Sequence, residues 1–155
     1  MERVRLRDNF LYSLLLNEIN ENIKNWDYSE ISGFGYYQKY TGHYAHVGIK
    51  ISKSDNQFSQ HQLISNIDEN QLPLAYLDEV IRNLNFFISY TAAIKGERAG
   101  LKFEIIDGSH HIVDSRVTDF HIATIYALVD CFDKTIKPIT EKEYIQIERC
   151  KKHLF

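Results

Sequence analysis

Apolar residues recur at helical intervals in the first part of the chain. From Asp8 to about Lys24 one side is polar, and the apolar positions are Leu11, Leu14, Leu15, Ile19 and Ile23. Asp8 or Asn9 is suited to cap such a helix, because its side-chain oxygen can accept a hydrogen bond from a free N–H of the first turn. The pattern predicts an N-terminal helix that packs on the domain or on a partner subunit through its Leu11, Leu15 and Ile19 side.

Four later segments have the composition and bounds of strands. Two of them, rich in aromatic and β-branched residues, are EISGFGYYQKY and HYAHVGIKI, and the connection TGH supplies the glycine of a tight turn. They predict a hairpin. After a polar loop, HQLISNI predicts a third strand, and GLKFEII predicts a fourth.

Two longer stretches have helical spacing. LAYLDEVIRNLNFFISY follows Pro73, which suits a first turn, and SRVTDFHIATIYALVDCFDK begins near Asp114 or Ser115, either of which can cap it. The tail TEKEYIQIERCKKHLF carries a Thr140–Glu143 capping-box pair and favours a helix, although YIQIE also alternates as a strand does. The order after the N-terminal helix is β-β-β-α-β-α. It predicts a fold of the broad α/β class, specifically an α+β two-layer sandwich. Both long helices lie on one face of a mixed four-stranded sheet.

Length and composition place these elements in one domain. The chain has 155 residues, of which 44% are hydrophobic, enough for one core. We expect an N-terminal helical extension (1–27), a core (28–138) and a C-terminal tail (139–155). The charged opening MERVRLRDNF and the lack of a long apolar run predict a cytoplasmic protein without a membrane partner. Cys131 and Cys150 have neither disulfide-framework nor CxxC metal spacing. The net charge of −3 means that any RNA contact is local.

Four features, in this order, resemble domain IV of translation elongation factor G. They are a hairpin strand with His46-Val47, the proline-initiated helix, the Gly96–Gly100 link and the GSHHIVDS element at Gly108–Ser115. The likeness runs from about Tyr28 to Pro138. It implies the fold of the second domain of ribosomal protein S5, whose left-handed β-α-β crossover is an exception that periodicity does not predict.

The resemblance also implies a function. In the family, domain IV enters the decoding end of the ribosomal A site, and its tip loops contact the tRNA–mRNA duplex. The similar loops here are Tyr40–His43 and Gly108–His111. The resemblance thus implies a stand-alone, translation-associated protein that binds the ribosome through rRNA or tRNA. The candidate contact residues are His43, Tyr44, Gly108, Ser109, His110 and His111. Because the sequence has no GxxxxGK[ST] loop, we expect no nucleotide, no cofactor and no GTP hydrolysis.

The two adjacent histidines allow more than one interpretation. Loop histidines can donate to phosphate or ribose oxygens and can stack on bases, and the nearby helix start would add free N–H donors. His110 and His111 could equally be solvated turn residues, and Asp107 and Asp114 flank them with negative charge. A zinc site with His43 and His46 is a further alternative. A three-residue step along a strand turns those two side chains to opposite faces, which argues against it.

The aromatic residues of the hairpin also have two interpretations. Exposed aromatics on strands can stack on single-stranded RNA, and buried ones can form the core. The residues concerned are Phe34, Tyr36, Tyr37, Tyr40 and Tyr44. We expect the face with Phe34, Tyr36 and Tyr40 to pack under the helix residues Leu77, Ile81 and Leu84.

An enzyme is not expected from this sequence. Ser109 and Ser115 lie near histidines, but turn formation and helix capping account for both serines. The alternative to ribosome binding is a non-enzymatic protein-interaction module. It would keep the domain IV scaffold away from the ribosome and use the N-terminal helix and the tail as contact surfaces.

Overall fold

The N-terminal segment is helical but is not one regular α-helix. The structure, a computed structural model, describes residues 14–40, 42–55 and 60–153. Its first elements are a 3-10 helix, Leu14–Ile19, and the short helix α1, Asn20–Asn25. Leu16, Ile19 and Ile23 are fully buried and join the main core. The predicted burial of Ile19 is thus confirmed, whereas Leu11 and both predicted caps lie outside the described residues.

The sheet is the predicted mixed four-stranded one, in the order β1-β2-β4-β3. The β1–β2 and β2–β4 pairs are antiparallel and the β3–β4 pair is parallel. The strands are β1 (Ile31–Gln38), β2 (Tyr44–Lys53), β3 (Gln62–Ser65) and β4 (Leu101–Ser109). The predicted α+β class is confirmed. The left-handed crossover between β3 and β4 stays a prediction.

Two long helices cover one face of this sheet. They are α2 (Leu74–Lys95), which begins after Pro73 as predicted, and α3 (Val117–Phe132). The predicted cap of α3 at Asp114 or Ser115 is wrong, because the helix begins after Arg116, whose N–H donates to the Asp119 carboxylate (2.9 Å). The main core lies between the helices and the inward residues of β2 and β4. In the described part of the chain no helix is long and apolar enough to cross a bilayer.

The face of β1 that meets α3 is made by glycines, which corrects the predicted aromatic core. A Cβ added to Gly35 would lie 1.8 Å from the Ala123 carbonyl oxygen, so the helix sits directly on the strand backbone. Phe34 and Tyr36 therefore point to the opposite, outer face of the sheet, where the Phe34 ring covers Gly48. Alternation correctly placed these aromatics on one side, but it did not show which side meets the helices.

The C-terminal tail forms a helix that covers part of the outer face. This helix, α4 (Glu141–His153), begins with the predicted capping box, in which the Thr140 N–H donates to Glu143 (2.9 Å) and the Glu143 N–H donates to Thr140 Oγ1 (3.2 Å). Its buried residues Ile147 and Cys150 form a second apolar cluster with Tyr36 and Tyr44. The sandwich thus has a partial third layer at one end.

Candidate functional site

Two connections meet at the end of the domain where α4 docks. We call this end the tip, formed by residues 39, 40, 42 and 43 between β1 and β2 and residues 110–116 between β4 and α3. Asp119, 1% exposed, joins the two connections. Its carboxylate accepts hydrogen bonds from His43 Nδ1 (2.8 Å), the Tyr44 N–H (3.1 Å) and the Arg116 N–H (2.9 Å). One buried carboxylate therefore fixes the hairpin end against the start of α3.

A second link runs through Ser115. Its hydroxyl donates to the Tyr44 carbonyl and accepts from the His111 N–H, both at 2.7 Å. The His111 ring then stabilises its own turn, since Nδ1 accepts hydrogen bonds from the N–H groups of Val113 (3.2 Å) and Asp114 (3.0 Å). The neutral ring consequently carries its proton on Nε2, which is available as a donor at the surface. The two predicted tip loops do lie side by side.

His110 is held against the body of the domain. Its Nδ1–H donates to the Gln71 carbonyl (3.0 Å), and its ring centre lies 5.8 Å from that of Tyr76. The Cys150 thiol of α4 donates to the His110 carbonyl (3.1 Å). Of the two adjacent histidines, His111 is therefore the one with an imidazole N–H facing outward.

A β-bulge turns the end of β4 around. The β2–β4 register shifts between Gly48 and Ile49, which reverses the alternation of the last residues of β4. Gly108 then faces the core, where an added Cβ would meet Ile67 at 3.0 Å. Ser109 faces outward beside His46, under α4. Because Gly108, Ser109 (1% exposed) and Tyr44 (3% exposed) are buried, a partner would not reach these three predicted contact residues in this conformation.

The outward residues form a buried polar cluster. Ser109 Oγ lies 2.7 Å from the Tyr44 hydroxyl and 3.0 Å from His46 Nδ1. Burial is the main cause that lowers the pKa of His46 to about 4; Asp107 opposes this and Lys151 adds to it. Burial likewise raises the pKa of Tyr44 far above its usual value. Both groups are therefore neutral near pH 7.

Ser109, His46 and Asp107 are the residue types of a hydrolase triad, a combination that sequence reasoning did not identify. Their geometry supports a structural role instead. His46 Nε2 is 3.9 Å from Asp107, too far for a hydrogen bond, and Lys151 holds that carboxylate at 2.8 and 3.0 Å. Ser109 also bonds Tyr44 and is closed off from solvent. A nucleophile needs access to its substrate, which α4 blocks here.

The exposed surface of the tip consists of other side chains. Tyr40 is 90% exposed, and Ile112 and Val113 are each 78% exposed. Arg116 is exposed beside Gly42, since its guanidinium lies 3.5 Å from the position of a Cβ at that glycine. His43 and His111 have side chains that are 35% and 42% exposed. Thr41 lies outside the described residues.

Sequence reasoning missed three of these surface residues: Ile112, Val113 and Arg116. The available signal was the apolar pair Ile112-Val113, which stands in a turn between the two histidines and Asp114-Ser115. Apolar residues in a turn have no partner in the core. The zinc hypothesis gains no support. Within the described ranges, no three His, Cys, Asp or Glu side chains are grouped to hold a metal, and His43 and His46 do lie on opposite faces.

Comparison with known proteins places this arrangement in a family. Residues 27–135 match the family "Elongation factor G, domain IV". The crystal structure of ttk003000868, a protein from Thermus thermophilus, has the same fold, with a TM-score of 0.53 and 24% sequence identity. The match covers 67% of this chain and 16% of that one. A comparison with curated protein sequences gave no match. The family match spans more than half of the chain, which therefore belongs to the elongation factor G domain IV family.

Proposed function

We propose that this protein acts in translation by binding rRNA or tRNA on the ribosome through its tip, without hydrolysing GTP and without other catalysis. Family membership supports an association with translation. The observation that carries the proposal is the construction of the tip, in which Asp119 and Ser115 tie two loops together beneath an exposed surface. A surface fixed before binding loses little conformational entropy when a partner docks.

The exposed tip residues suit RNA. Tyr40 offers an aromatic face on which a base can stack, and Arg116 offers a guanidinium to a phosphate. The Nε2–H of His111 can donate to a phosphate or ribose oxygen. These are the chemical groups with which proteins contact unpaired nucleotides.

Two of the negative charges near the tip are paired or buried. Lys151 forms an ion pair with Asp107 at 2.8 Å, and the buried Asp119 carboxylate accepts three hydrogen bonds. Asp114 lies 3.6 Å from His111. The tip can thus approach phosphate locally although the whole chain carries a net charge of −3.

Co-sedimentation with ribosomes over a salt series tests the proposal. Binding that depends on phosphate contacts weakens steeply as salt rises, because condensed counterions must return to the RNA. We expect the protein to pellet with ribosomes at low salt and to be released as salt increases. Failure to pellet at low salt would refute ribosome binding. A parallel calorimetric titration with GTP is expected to show no heat of binding.

One observation favours a second candidate, a protein-interaction module. Ile112 and Val113 form an exposed apolar pair at the tip, and such pairs are common contacts between proteins. Changing both to serine separates the two functions. If the tip binds RNA, the double variant should still bind ribosomes with a steep salt dependence. If the tip binds a protein through this pair, the double variant should lose that binding, and binding by the parent protein should change little with salt.

A further inference from the structure

The outer edge of β1 is closed along its first half and borders a groove along its second half. β1 is an edge strand, and in the described part of the chain only β2 pairs with it. At its start, the Phe34 N–H donates to the Asp130 carboxylate (3.0 Å) and the Lys134 ammonium donates to the Ser32 carbonyl. These charged side chains block further strand pairing there. Nearer the tip, residues 36–38 border the groove instead.

Two adjoining cavities form this edge groove. One, of about 490 Å³, lies between residues 36–38 of β1, Tyr126 of α3 and the segment 136–140 that follows α3. The other, of about 350 Å³, lies between the end of the hairpin strand and the first two turns of α4. The walls of both cavities contain Tyr36, Gln38 and Glu143. The edge groove therefore runs continuously along β1 to the tip.

Tyrosine side chains line the edge groove. Tyr40, at the tip end, is 90% exposed. Its backbone has a φ of 49°, a left-handed conformation that is uncommon for a residue with a side chain. Tyr37 and Tyr126 are half-buried farther along the groove. An aromatic ring as exposed as that of Tyr40 offers a stacking surface to a base that is not held in a duplex.

Two amide side chains beside Tyr40 can bond to the edge of such a base. Gln38 and Gln146 line the same part of the edge groove. The Tyr36 hydroxyl donates to the Gln38 side-chain oxygen, so the NH2 group of that amide remains as a donor. Amides carry both donors and acceptors, and the edge of an unpaired base presents groups of both kinds. The groove can therefore hold a base by stacking and by hydrogen bonds together.

Lysines give the lining of the edge groove a positive balance. Lys142 is exposed in its wall. The Lys137 ammonium lies 4.6 Å from the centre of the Tyr126 ring, a cation–π contact that holds it on the wall. Glu143 is the one carboxylate of the lining, and it accepts the Thr140 N–H (2.9 Å) at the start of α4. Cations beside exposed aromatic rings are the combination that binds single-stranded nucleic acid.

We propose that the edge groove binds a single-stranded segment of RNA that continues from the tip. A base stacks on Tyr40 and bonds to Gln38 and Gln146, and the neighbouring phosphates contact Lys142 and Lys137. This inference rests on the RNA-binding role of the tip and names the form of RNA, an unpaired segment, that the protein takes. The family match ends at residue 135, so α4 and the segment before it add this site to the family domain.

Fluorescence anisotropy with free RNA tests the proposal apart from the ribosome. The probes are a labelled RNA of about 12 nucleotides without self-complementarity and the duplex that it forms with its complement. We expect the single strand to bind at low salt with a Kd below about 100 μM. It should bind at least about fivefold more tightly than the duplex, whose bases are held in the stack. Weaker binding of the single strand, or a smaller preference over the duplex, would overturn the proposal.

Two double variants with equal charge changes locate the site. Lys137→Gln/Lys142→Gln should weaken binding of the single strand at least about fivefold, and the slope of log K against log salt should become shallower by roughly 0.7 for each lost phosphate contact. Lys24→Gln/Lys53→Gln is the matched control, because both lysines are exposed at the end of the domain opposite the tip. It should bind as the parent does.

Co-sedimentation of the parent with ribosomes separates failure of this inference from failure of the proposed function. If the parent pellets with ribosomes but the two double variants bind the single strand equally, the edge groove is not the site and the role of the tip stands. If the parent does not pellet at low salt, the role of the tip fails, and the inference that rests on it fails too.

Discussion

Ser109 at the tip and Thr91 at the opposite end of the domain, which we call the base, are both buried hydroxyl groups, but their hydrogen bonding differs. Ser109 lies within hydrogen-bonding distance of Tyr44 and His46, whereas Thr91 has no partner among the described residues. A fully bonded network fixes one structure, whereas a buried hydroxyl without a partner costs stability. The tip therefore presents a surface on a rigid support, whereas the Thr91 hydroxyl makes no described bond that would stabilise the base.

The largest effect is expected at Asp119, whose hydrogen bonds to His43, Tyr44 and Arg116 all lie at the tip. Asp119→Ala leaves the His43 ring and two N–H groups without their acceptor, and we expect a loss of about 3 kcal/mol in the free energy of unfolding. Urea denaturation measures it. The exposed Asp78→Ala is the control and should change stability by less than about 0.5 kcal/mol. Similar losses in both variants would show that the carboxylate does not tie the tip.

The two buried hydroxyls give the sharpest contrast. Ser109→Ala removes a partner from Tyr44 and from His46, and should destabilise the protein by about 2 kcal/mol. Thr91→Val removes a hydroxyl that bonds nothing described, and should be neutral or stabilising by up to about 1 kcal/mol. Thermal unfolding measures both. A Thr91→Val loss as large as that of Ser109→Ala would abolish the distinction.

A smaller effect depends on pH and again separates the two ends. Burial lowers the pKa of His46 to about 4, so between pH 6.5 and 4 the unfolded chain binds a proton there that the folded chain does not. The free energy of unfolding should therefore fall as pH drops through this window, by on the order of 2 kcal/mol from this residue.

The matched variants isolate that pH term. His46→Gln should reduce the slope of stability against pH, while His61→Gln, at an exposed base position, should retain the slope of the parent. Chemical denaturation at several pH values gives the slopes. Equal slopes in the parent and in His46→Gln would mean that His46 is not held neutral by its burial.

Much of the fold could be predicted because the main elements have clear sequence signals. Pro73 marks the start of α2, and Thr140 with Glu143 marks α4. The glycines at 33 and 35 made the facing of β1 hard to predict, since a pattern of side chains does not show that a helix packs directly on a bare backbone.

The candidate site was less predictable, because its geometry depends on long-range contacts. The β-bulge before Ser109 turns that residue under α4, and no local pattern marks the bulge. Asp119 contacts Tyr44 from 75 positions away in the chain. The base depends equally on distant contacts, since His61 and Leu101 meet only in the folded sheet.

The smallest stability effect is expected for Arg116 and Arg98, two exposed arginines at opposite ends of the domain. Arg116→Gln and Arg98→Gln should each change the free energy of unfolding by less than about 0.5 kcal/mol, because exposed side chains contribute little. Their effects on binding should differ completely. Urea denaturation of both variants checks the stability term, and a loss above about 2 kcal/mol in either would show a structural role that its exposure does not suggest.

The affinity for ribosomes of a Tyr40→Ala/Arg116→Gln variant, measured at low salt beside Arg98→Gln, tests the central claim most directly. The tip variant loses a stacking surface and a phosphate contact, and we expect its affinity to fall at least about tenfold with a shallower salt dependence. Arg98→Gln should bind ribosomes as the parent does. If the tip variant binds with the affinity and salt dependence of the parent, the tip is not the surface that contacts the ribosome.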